Sequence, residues 1–314
     1  MFNKNVIEIF QNLKDISLQD NNRFKIKAYK KALFILNNLD YQININNYQK
    51  IPVLGKKSKD KIKIILETGT YNINKPQTNK FFNELIEITG IGPSKAKSII
   101  KNNITSLEQL KINKLQLLNK KQIIGLKYHP IKKIHRNQIH LFLNYLNQLD
   151  IFQKNKNNIF SITGSYRRGK MMCGDVDLLL TNKNNNNQIY KNLVDKLIQD
   201  NFILDILAKG TKKFMAFSKI TKDGFTCRLD ILYTPIKEYP FAKLYFTGSK
   251  DFNIKMRNKA NKMNLTLNEH GLYNIENNIK KSKIKKTTKI DKIFNTEKDI
   301  FKFLNIEYLE PENR

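Results

Sequence analysis

Gly164, Ser165, Arg168, Cys173, Gly174, Asp175 and Asp177 all fall between positions 164 and 177. Asp175 and Asp177 are two apart, so on a strand their carboxylates share one face. Asp230 lies in a second strand-like stretch, Thr226 to Leu232, and could complete the cluster. Three carboxylates on one surface repel one another unless a cation neutralises them. Hard divalent cations such as Mg²⁺, with Mn²⁺ as a possible substitute, take oxygen ligands and keep substrate phosphates in their shell. Two such ions can activate an attacking hydroxyl and steady the leaving oxygen. Gly164 and Ser165 follow a strand and open a helix, where amides and a hydroxyl can cradle phosphate oxygens. Arg168 adds a guanidinium fork for non-bridging oxygens. Gly174 lets a phosphate approach the backbone beside Asp175. The chemistry of the set is phosphoryl transfer from a metal-triphosphate, where positioning and charge stabilisation supply most of the catalysis. An Asp-x-Asp pair alone reads as a solvated strand edge; the flanking residues change that reading.

Several elements must position these groups. Ile159 to Thr163, Val176 to Leu180 and Thr226 to Leu232 have strand character, with helices expected at about 188–201 and 252–263. Thr181 to Asn187 is a polar loop. Together they describe an α+β catalytic region with a mixed sheet. The residues before about 136 are helical. Val6, Ile7, Ile9, Phe10 and Leu13 mark one helical face, and Arg23 to Leu39 a second helix. Ile88 to Ile100 is a helix-hairpin-helix signature. Gly90 and Gly92 allow a sharp turn, and Pro93 suits the first turn of the next helix. The start of that helix, with Ser94 and Lys95, can present amides to a DNA phosphate, and the hairpin carbonyls could hold a monovalent cation, Na⁺ or K⁺. A second, degraded copy occupies 51–62, where Gly55 feeds a helix that Gly69 stops. The expected organisation is a helical domain at 1–72, a helix-hairpin-helix subdomain at 73–135, a catalytic region at 136–236 and a further subdomain at 237–314.

The chain has 57 Lys+Arg against 27 Asp+Glu, a net charge of +30, which attracts polyanions and points first to nucleic acid. Part of the lysine excess is what an AT-rich genome would favour. No long apolar run suggests a membrane partner, and the first residues have no signal-peptide core. Cys173 and Cys227 make neither a disulfide framework nor a zinc pattern, so the expected setting is intracellular. The basic run at 280–286 reads as a solvated loop.

The Gly164–Asp177 block, the Gly90–Ala96 hairpin, Gly125-Leu126-Lys127-Tyr128, Lys213-Phe214-Met215 and Tyr245-Phe246-Thr247-Gly248-Ser249 together resemble the nucleotidyltransferase superfamily and, within it, the beta-type family X DNA polymerases. The resemblance runs over nearly the whole chain. It implies a template-directed polymerase that fills short gaps in base excision repair, acts on gapped or nicked duplex DNA with dNTPs, and works as a monomer. Asp175 and Asp177 would then bind both metals and Asp230 the catalytic one. Asp230 would accept the primer 3′-hydroxyl proton, with Arg228 orienting it. Ser165, Arg168 and Gly174 would hold the β- and γ-phosphates, with Lys133 a further cation. Tyr245, Phe246 and Gly248 would meet the sugar edge and exclude a 2′-hydroxyl. Asn253 would contact the incoming base or primer terminus, and Arg257 the template strand.

By the same resemblance the N-terminal domain is a 5′-deoxyribose-phosphate lyase whose Schiff-base nucleophile is Lys61. Lys57, one turn earlier on the same helical face, would depress the pKa of that amine and grip the 5′-phosphate. Lys25 is a second phosphate ligand, and Tyr29 lines the pocket. Without the resemblance, Lys61 reads as a solvated lysine in a lysine-rich helix. The chain departs from the family pattern in places. Cys173 replaces a serine and Val53 the first glycine of the upstream hairpin; Phe24 replaces a histidine, Lys250 an acidic residue, Ile254 a lysine and Leu232 an arginine. Two other readings stay open: a template-independent nucleotidyltransferase, and a non-catalytic protein that binds DNA ends. The compartment implied is the nucleus, or a cytoplasmic replication site if the chain is viral.

Overall fold

The computed structural model describes residues 3–19, 22–71, 80–113, 115–221, 224, 226–275 and 287–314. The basic run at 280–286 lies outside the described residues. The chain divides into two compact units, Met1–His129 and Pro130–Arg314.

The first unit is helical. It comprises α1 (Lys4–Gln19), α2 (Arg23–Asn37), α3 (Lys56–Thr68), α4 (Lys80–Glu87), α5 (Pro93–Lys101), α6 (Leu107–Asn113) and α7 (Lys120–Lys127). Val6, Phe10 and Leu13 recur at helical spacing on α1 and are buried against Ala32, Leu36, Ile51, Ile62 and Ile65. Burying Phe10 or Ile62 fully contributes about 1.5–3 kcal/mol each. The Asn22 side chain caps α2 by accepting from the amide of Lys25. Gly69 ends α3 with a left-handed φ of 71°, and its amide donates to the carbonyl of Ile65.

A separate cluster, including Phe81, Leu85, Ile88, Ala96, Ile99, Leu110 and Leu126, holds α4 to α7 together. Pro93 opens α5 directly after Gly92. Asn119 and Gln122 form a reciprocal capping box at the start of α7.

The second unit is a mixed α/β body, in line with the fold class expected. It runs β1 (Ile134–His135), α8 (Arg136–Gln148), α9 (Asp150–Gln153), β2 (Asn158–Ile162), α10 (Gly164–Arg167), β3 (Met172–Cys173), β4 (Asp175–Asn182), α11 (Gln188–Gln199), β5 (Ile203–Lys209), β6 (Lys213–Lys219) and β7 (Thr226–Tyr233). It continues through α12 (Tyr239–Thr247), α13 (Lys250–Lys262), β8 (Leu265–Asn268), β9 (Gly271–Ile275), β10 (Thr287–Lys289) and α14 (Glu297–Phe303).

Five strands form the main sheet in the order β2-β4-β7-β6-β5, and only β4 and β7 are parallel. Alternation decides what each face carries. Val176, Leu178 and Leu180 of β4, with Cys227, Leu229, Ile231 and Tyr233 of β7, enter a core completed by Phe142, Leu193, Leu197 and Phe214. Asp175, Asp177, Arg228 and Asp230, at the alternate positions, stay half-buried on the other face. The three-stranded sheet β10-β9-β8 belongs to a second cluster, with Phe241, Phe252, Met256, Leu272, Ile300 and Phe301 at its centre.

Candidate active site: an acidic face on two parallel strands

The register of β4 on β7 sets Asp175 beside Arg228 and Asp177 beside Asp230. Arg228 bridges two of the acids: its Nη2 donates to Asp175 Oδ2 at 2.7 Å and its Nε to Asp230 Oδ1 at 3.1 Å. Burial, then the charges of Asp175 and Asp230, push the pKa of Asp177 up to about 7 against the pull of Arg228 and Arg168. Asp230 is also raised, first by burial, with Arg228 and Lys213 opposing. Among the described residues no three acidic, His or Cys side chains close on one point. Arg228 explains this, because it holds Asp175 and Asp230 to itself. The donor set is nonetheless all oxygen, on one face and electrostatically under-compensated, which suits hard divalent cations. Asp175, Asp177 and Asp230 could hold such ions once Arg228 yields Asp175.

The turn before β4 is built around the same acid. Gly164 has φ 58° and begins α10 at the end of β2. The hydroxyl of Ser165 is buried without a protein partner, as a group awaiting a ligand oxygen would be. Nothing within 4 Å would oppose a β-carbon at Gly174, so the backbone beside Asp175 is open to approach. Cys173 differs from the others. Its side chain is buried in the core and its thiol faces the Lys170 carbonyl at 3.6 Å, which leaves only its backbone for a phosphate. Cys173 belongs to a separate two-stranded ribbon, paired with Ile134 of β1, so its direction does not follow the alternation of β4.

Arg168 donates to the carbonyl of Thr247 at 2.5 Å, beside the positive-φ turn at Gly248. That turn is tied to the following helix, because Asn253 Nδ2 donates to the Tyr245 carbonyl at 2.7 Å and Arg257 stacks 5.1 Å from the Tyr245 ring centroid. Phe246 joins Asp177, Asp230, Lys213 and Leu232 around a small cavity of about 40 Å³. Tyr245, Phe246, Gly248, Asn253 and Arg257 therefore belong to one connected wall.

The partner of Arg167 was not legible in the sequence. Arg167 donates to both carboxylate oxygens of Glu297, at 2.9 and 2.5 Å, and to Thr247 Oγ1 at 2.6 Å. Arg314 donates to the same carboxylate at 2.7 Å. Burial opposes ionisation of Glu297, but its bonds and charge pairing with Arg167 and Arg314 outweigh this and hold its pKa below the usual range. The one signal available was the doubled arginine: adjacent helical side chains diverge by about 100°, so both guanidiniums cannot serve one site.

In the first unit, Lys57 and Lys61 lie one turn apart on α3, with Lys57 exposed and Lys61 half-buried. Tyr29 is buried, 5.9 Å edge-to-face from Phe10, and its hydroxyl pKa is raised first by burial. Lys25 is exposed in the first turn of α2. Val53 takes φ 62° at the upstream turn, a left-handed conformation that favours glycine. In the downstream hairpin, Gly90 has φ 92°, and its carbonyl accepts from Gln122 Nε2 at 3.0 Å. Gly92 and Ser94 are exposed at the start of α5, but the Lys95 ammonium turns back to the Leu117 carbonyl.

Domain models tile the chain in order. A helix-hairpin-helix domain matches residues 1–71, the fingers domain of DNA polymerase lambda 83–130, the DNA polymerase beta palm 133–236 and the DNA polymerase beta thumb 242–314. Among curated relatives, DNA polymerase lambda of Rattus norvegicus is 30% identical over 312 residues, covering 93% of this chain and 52% of its own length. DNA polymerase lambda of Arabidopsis thaliana is 26% identical over 336 residues, covering 99% of this chain and 62% of its own length. DNA nucleotidylexotransferase of Xenopus laevis is 25% identical over 339 residues, with 93% and 64% covered. The chain thus spans about half to two thirds of the length of these relatives. No helix among the described residues is long and apolar enough to cross a membrane. Four domain matches in the order of a single polymerase, laid over an acidic face that could hold divalent cations, place the chain in the family X DNA polymerases.

Proposed function

We propose that this chain is a template-directed DNA polymerase that fills short gaps in base excision repair and carries a 5′-deoxyribose-phosphate lyase. The observation that carries the polymerase reading is the register that sets Asp177 beside Asp230, with Asp175 two residues away on the same face. A pair of Mg²⁺ or Mn²⁺ ions, when bound, would supply Lewis-acid activation of the primer 3′-hydroxyl and neutralise triphosphate charge. Asp175 and Asp177 would hold both, and Asp230 one. Asp230 takes the hydroxyl proton. Arg228 steadies Asp230 through Nε after its Nη2 has released Asp175. The free hydroxyl of Ser165, the Arg168 fork and the open backbone at Gly174 hold the β- and γ-phosphates of a dNTP. Tyr245, Phe246 and Gly248 crowd the sugar edge against a 2′-hydroxyl, Asn253 reads the minor-groove side of the nascent pair, and Arg257 steadies the template.

In the first unit, Lys61 is the lyase nucleophile, Lys57 and Lys25 hold the 5′-phosphate, and Tyr29 lines the pocket. Gly90, Gly92, Ser94 and Lys95 lie along a DNA backbone, with a monovalent cation at the hairpin carbonyls. The enzyme acts as a monomer on gapped or nicked duplex, in a nucleus or, if viral, at a cytoplasmic replication site.

Extension of a one-nucleotide gap, with and without a 5′-phosphate, tests the reading. Asp230→Ala should abolish incorporation while leaving gap binding nearly intact; full activity in the purified variant would contradict it. Lys61→Ala should remove borohydride trapping to an abasic 5′-end, and equal trapping would move the nucleophile elsewhere. The relative named DNA nucleotidylexotransferase keeps template-independent addition in view. Family members of that kind tend to have Gly-Trp where this chain has Tyr245 and Phe246, and the chain contains no tryptophan. Extension of a single strand without a template would favour that activity, and no incorporation with either metal would favour a non-catalytic DNA-end protein.

A further inference from the structure

A lysine that condenses with an aldehyde is cationic before and after the step. Ammonium plus aldehyde gives iminium plus water. Two of the three Nζ protons leave with the carbonyl oxygen, a nitrogen–carbon double bond replaces the carbon–oxygen one, and the positive charge stays on nitrogen in the balance. The amine that attacks is the neutral one, so a group beside Nζ helps only if it favours the iminium over the ammonium. The iminium spreads its charge onto carbon and is the less hydrated cation, so an aromatic face favours it over the ammonium.

Such a group stands at Lys61. Its Nζ lies 5.1 Å from the centroid of the Tyr71 ring, within the range at which an ammonium is attracted to an aromatic face. Among the described residues no carboxylate pairs with Lys61. The ring is held there by the way α3 ends. Gly69 reverses the chain with φ 71°, and its amide bonds to Ile65. Asn5 of α1 donates to the Gly69 carbonyl at 2.9 Å, and Thr68 Oγ1 donates to the Thr70 carbonyl at 2.6 Å. Tyr71 then packs half-buried on the cluster that contains Tyr29, Ile62 and Ile65. Tyr29 packs on the same cluster.

We propose that Tyr71 is the positioning residue of the lyase lysine, a role that rests on Lys61 being the nucleophile: its ring orients Nζ and stabilises the iminium formed on the sugar aldehyde. The hydroxyl of Tyr71 is not needed for this, and the ring face is.

The test uses the full chain as wild type, Tyr71→Phe and Tyr71→Leu. Each is measured for borohydride trapping on a gapped duplex with a 5′-deoxyribose phosphate, and for the ε-methylene resonance of Lys61 in protein with ¹³C-labelled lysine, assigned with Lys61→Arg. A cation–ring contact in a partly desolvated pocket corresponds to a loss of about five- to thirty-fold in trapping for Tyr71→Leu. Tyr71→Phe should trap within about twofold of wild type. The ε-methylene signal should be ring-current shifted in wild type and Tyr71→Phe, and return to an ordinary position in Tyr71→Leu. Filling of a gap with a plain 5′-phosphate should be equal in all three. Trapping by Tyr71→Leu equal to wild type overturns the role of Tyr71 and leaves the lyase standing. An unshifted resonance in wild type overturns the contact itself, whether or not Tyr71→Leu folds. Absence of trapping in wild type removes the lyase assignment and this role with it.

Discussion

A β-carbon at Gly164 would lie 2.3 Å from Oδ2 of Asp177. That is far inside van der Waals contact, so the turn that presents Ser165 and the strand that presents Asp177 fit only because residue 164 has no side chain. The positive φ of 58° at Gly164 favours the same residue for a second reason. Gly164→Ala should displace the carboxylate by a large fraction of an ångström. Misplacements of that size cost on the order of 10²-fold in rate. Single-turnover filling of a one-nucleotide gap should show that loss with gap affinity unchanged, and a rate within threefold of wild type would count against this view of the site.

Glu297 answers two guanidiniums with one carboxylate. Removing a buried partner of this kind costs about 3–5 kcal/mol, because the remaining charges stay buried. Glu297→Gln should lower the urea midpoint of the second unit accordingly at pH 7. The pH dependence has a definite sign. The folded-state pKa of Glu297 lies below its unfolded value, so its stabilisation is present above the unfolded value, roughly pH 4.3, and is lost as pH falls through the folded one. The stability difference between wild type and Glu297→Gln should therefore be widest at neutral pH and shrink in acid. A difference that grows in acid would show that the carboxylate is not the ionised partner.

Val53 is 72% exposed and holds φ 62°, a conformation that a β-branched residue adopts at a cost of roughly 1–2 kcal/mol. Glycine would relieve that strain and give back about 0.5–1 kcal/mol through its freer unfolded chain. Val53→Gly should therefore raise the thermal midpoint of the first unit modestly, by an amount equivalent to about 0.5–1 kcal/mol. A lower midpoint would mean that the exposed valine is held by contacts stronger than the strain.

Binding to gapped duplex should weaken steeply with salt, because a chain of net charge +30 releases condensed counterions when it binds. Each lysine that neutralises a phosphate adds about one to the slope of log affinity against log salt. Lys57 is exposed, whereas the Lys95 ammonium is turned inward onto the Leu117 carbonyl. Lys57→Ala should reduce the slope by about one and Lys95→Ala by less than half as much. Equal effects would show that Lys95 swings out to reach DNA.

Much of the acidic face could be read before any coordinates, since its groups are concentrated in residues close along the chain. A two-residue period is enough to put Asp175 and Asp177 on one face, and Gly90, Gly92 and Pro93 specify their turn through backbone preferences that act over three or four positions. The five-stranded sheet was only partly legible. Ile203–Lys209 and Lys213–Lys219 pair as β5 and β6, yet β5 lies at the sheet edge and leaves Leu204 and Ile206 exposed, so it lacks the clean alternation of a half-buried strand.

Residue types and short spacings thus determined which groups are available for chemistry. Tertiary structure alone decided their partners and directions: Arg228 spans to Asp175 across 53 positions, Arg167 reaches Glu297 across 130, Cys173 turns inward and Tyr71 folds over Lys61. The physical reason is range. Backbone preferences and periodicity act within a turn or two, whereas these contacts depend on strand register and core packing that bring distant segments together only when the whole unit closes.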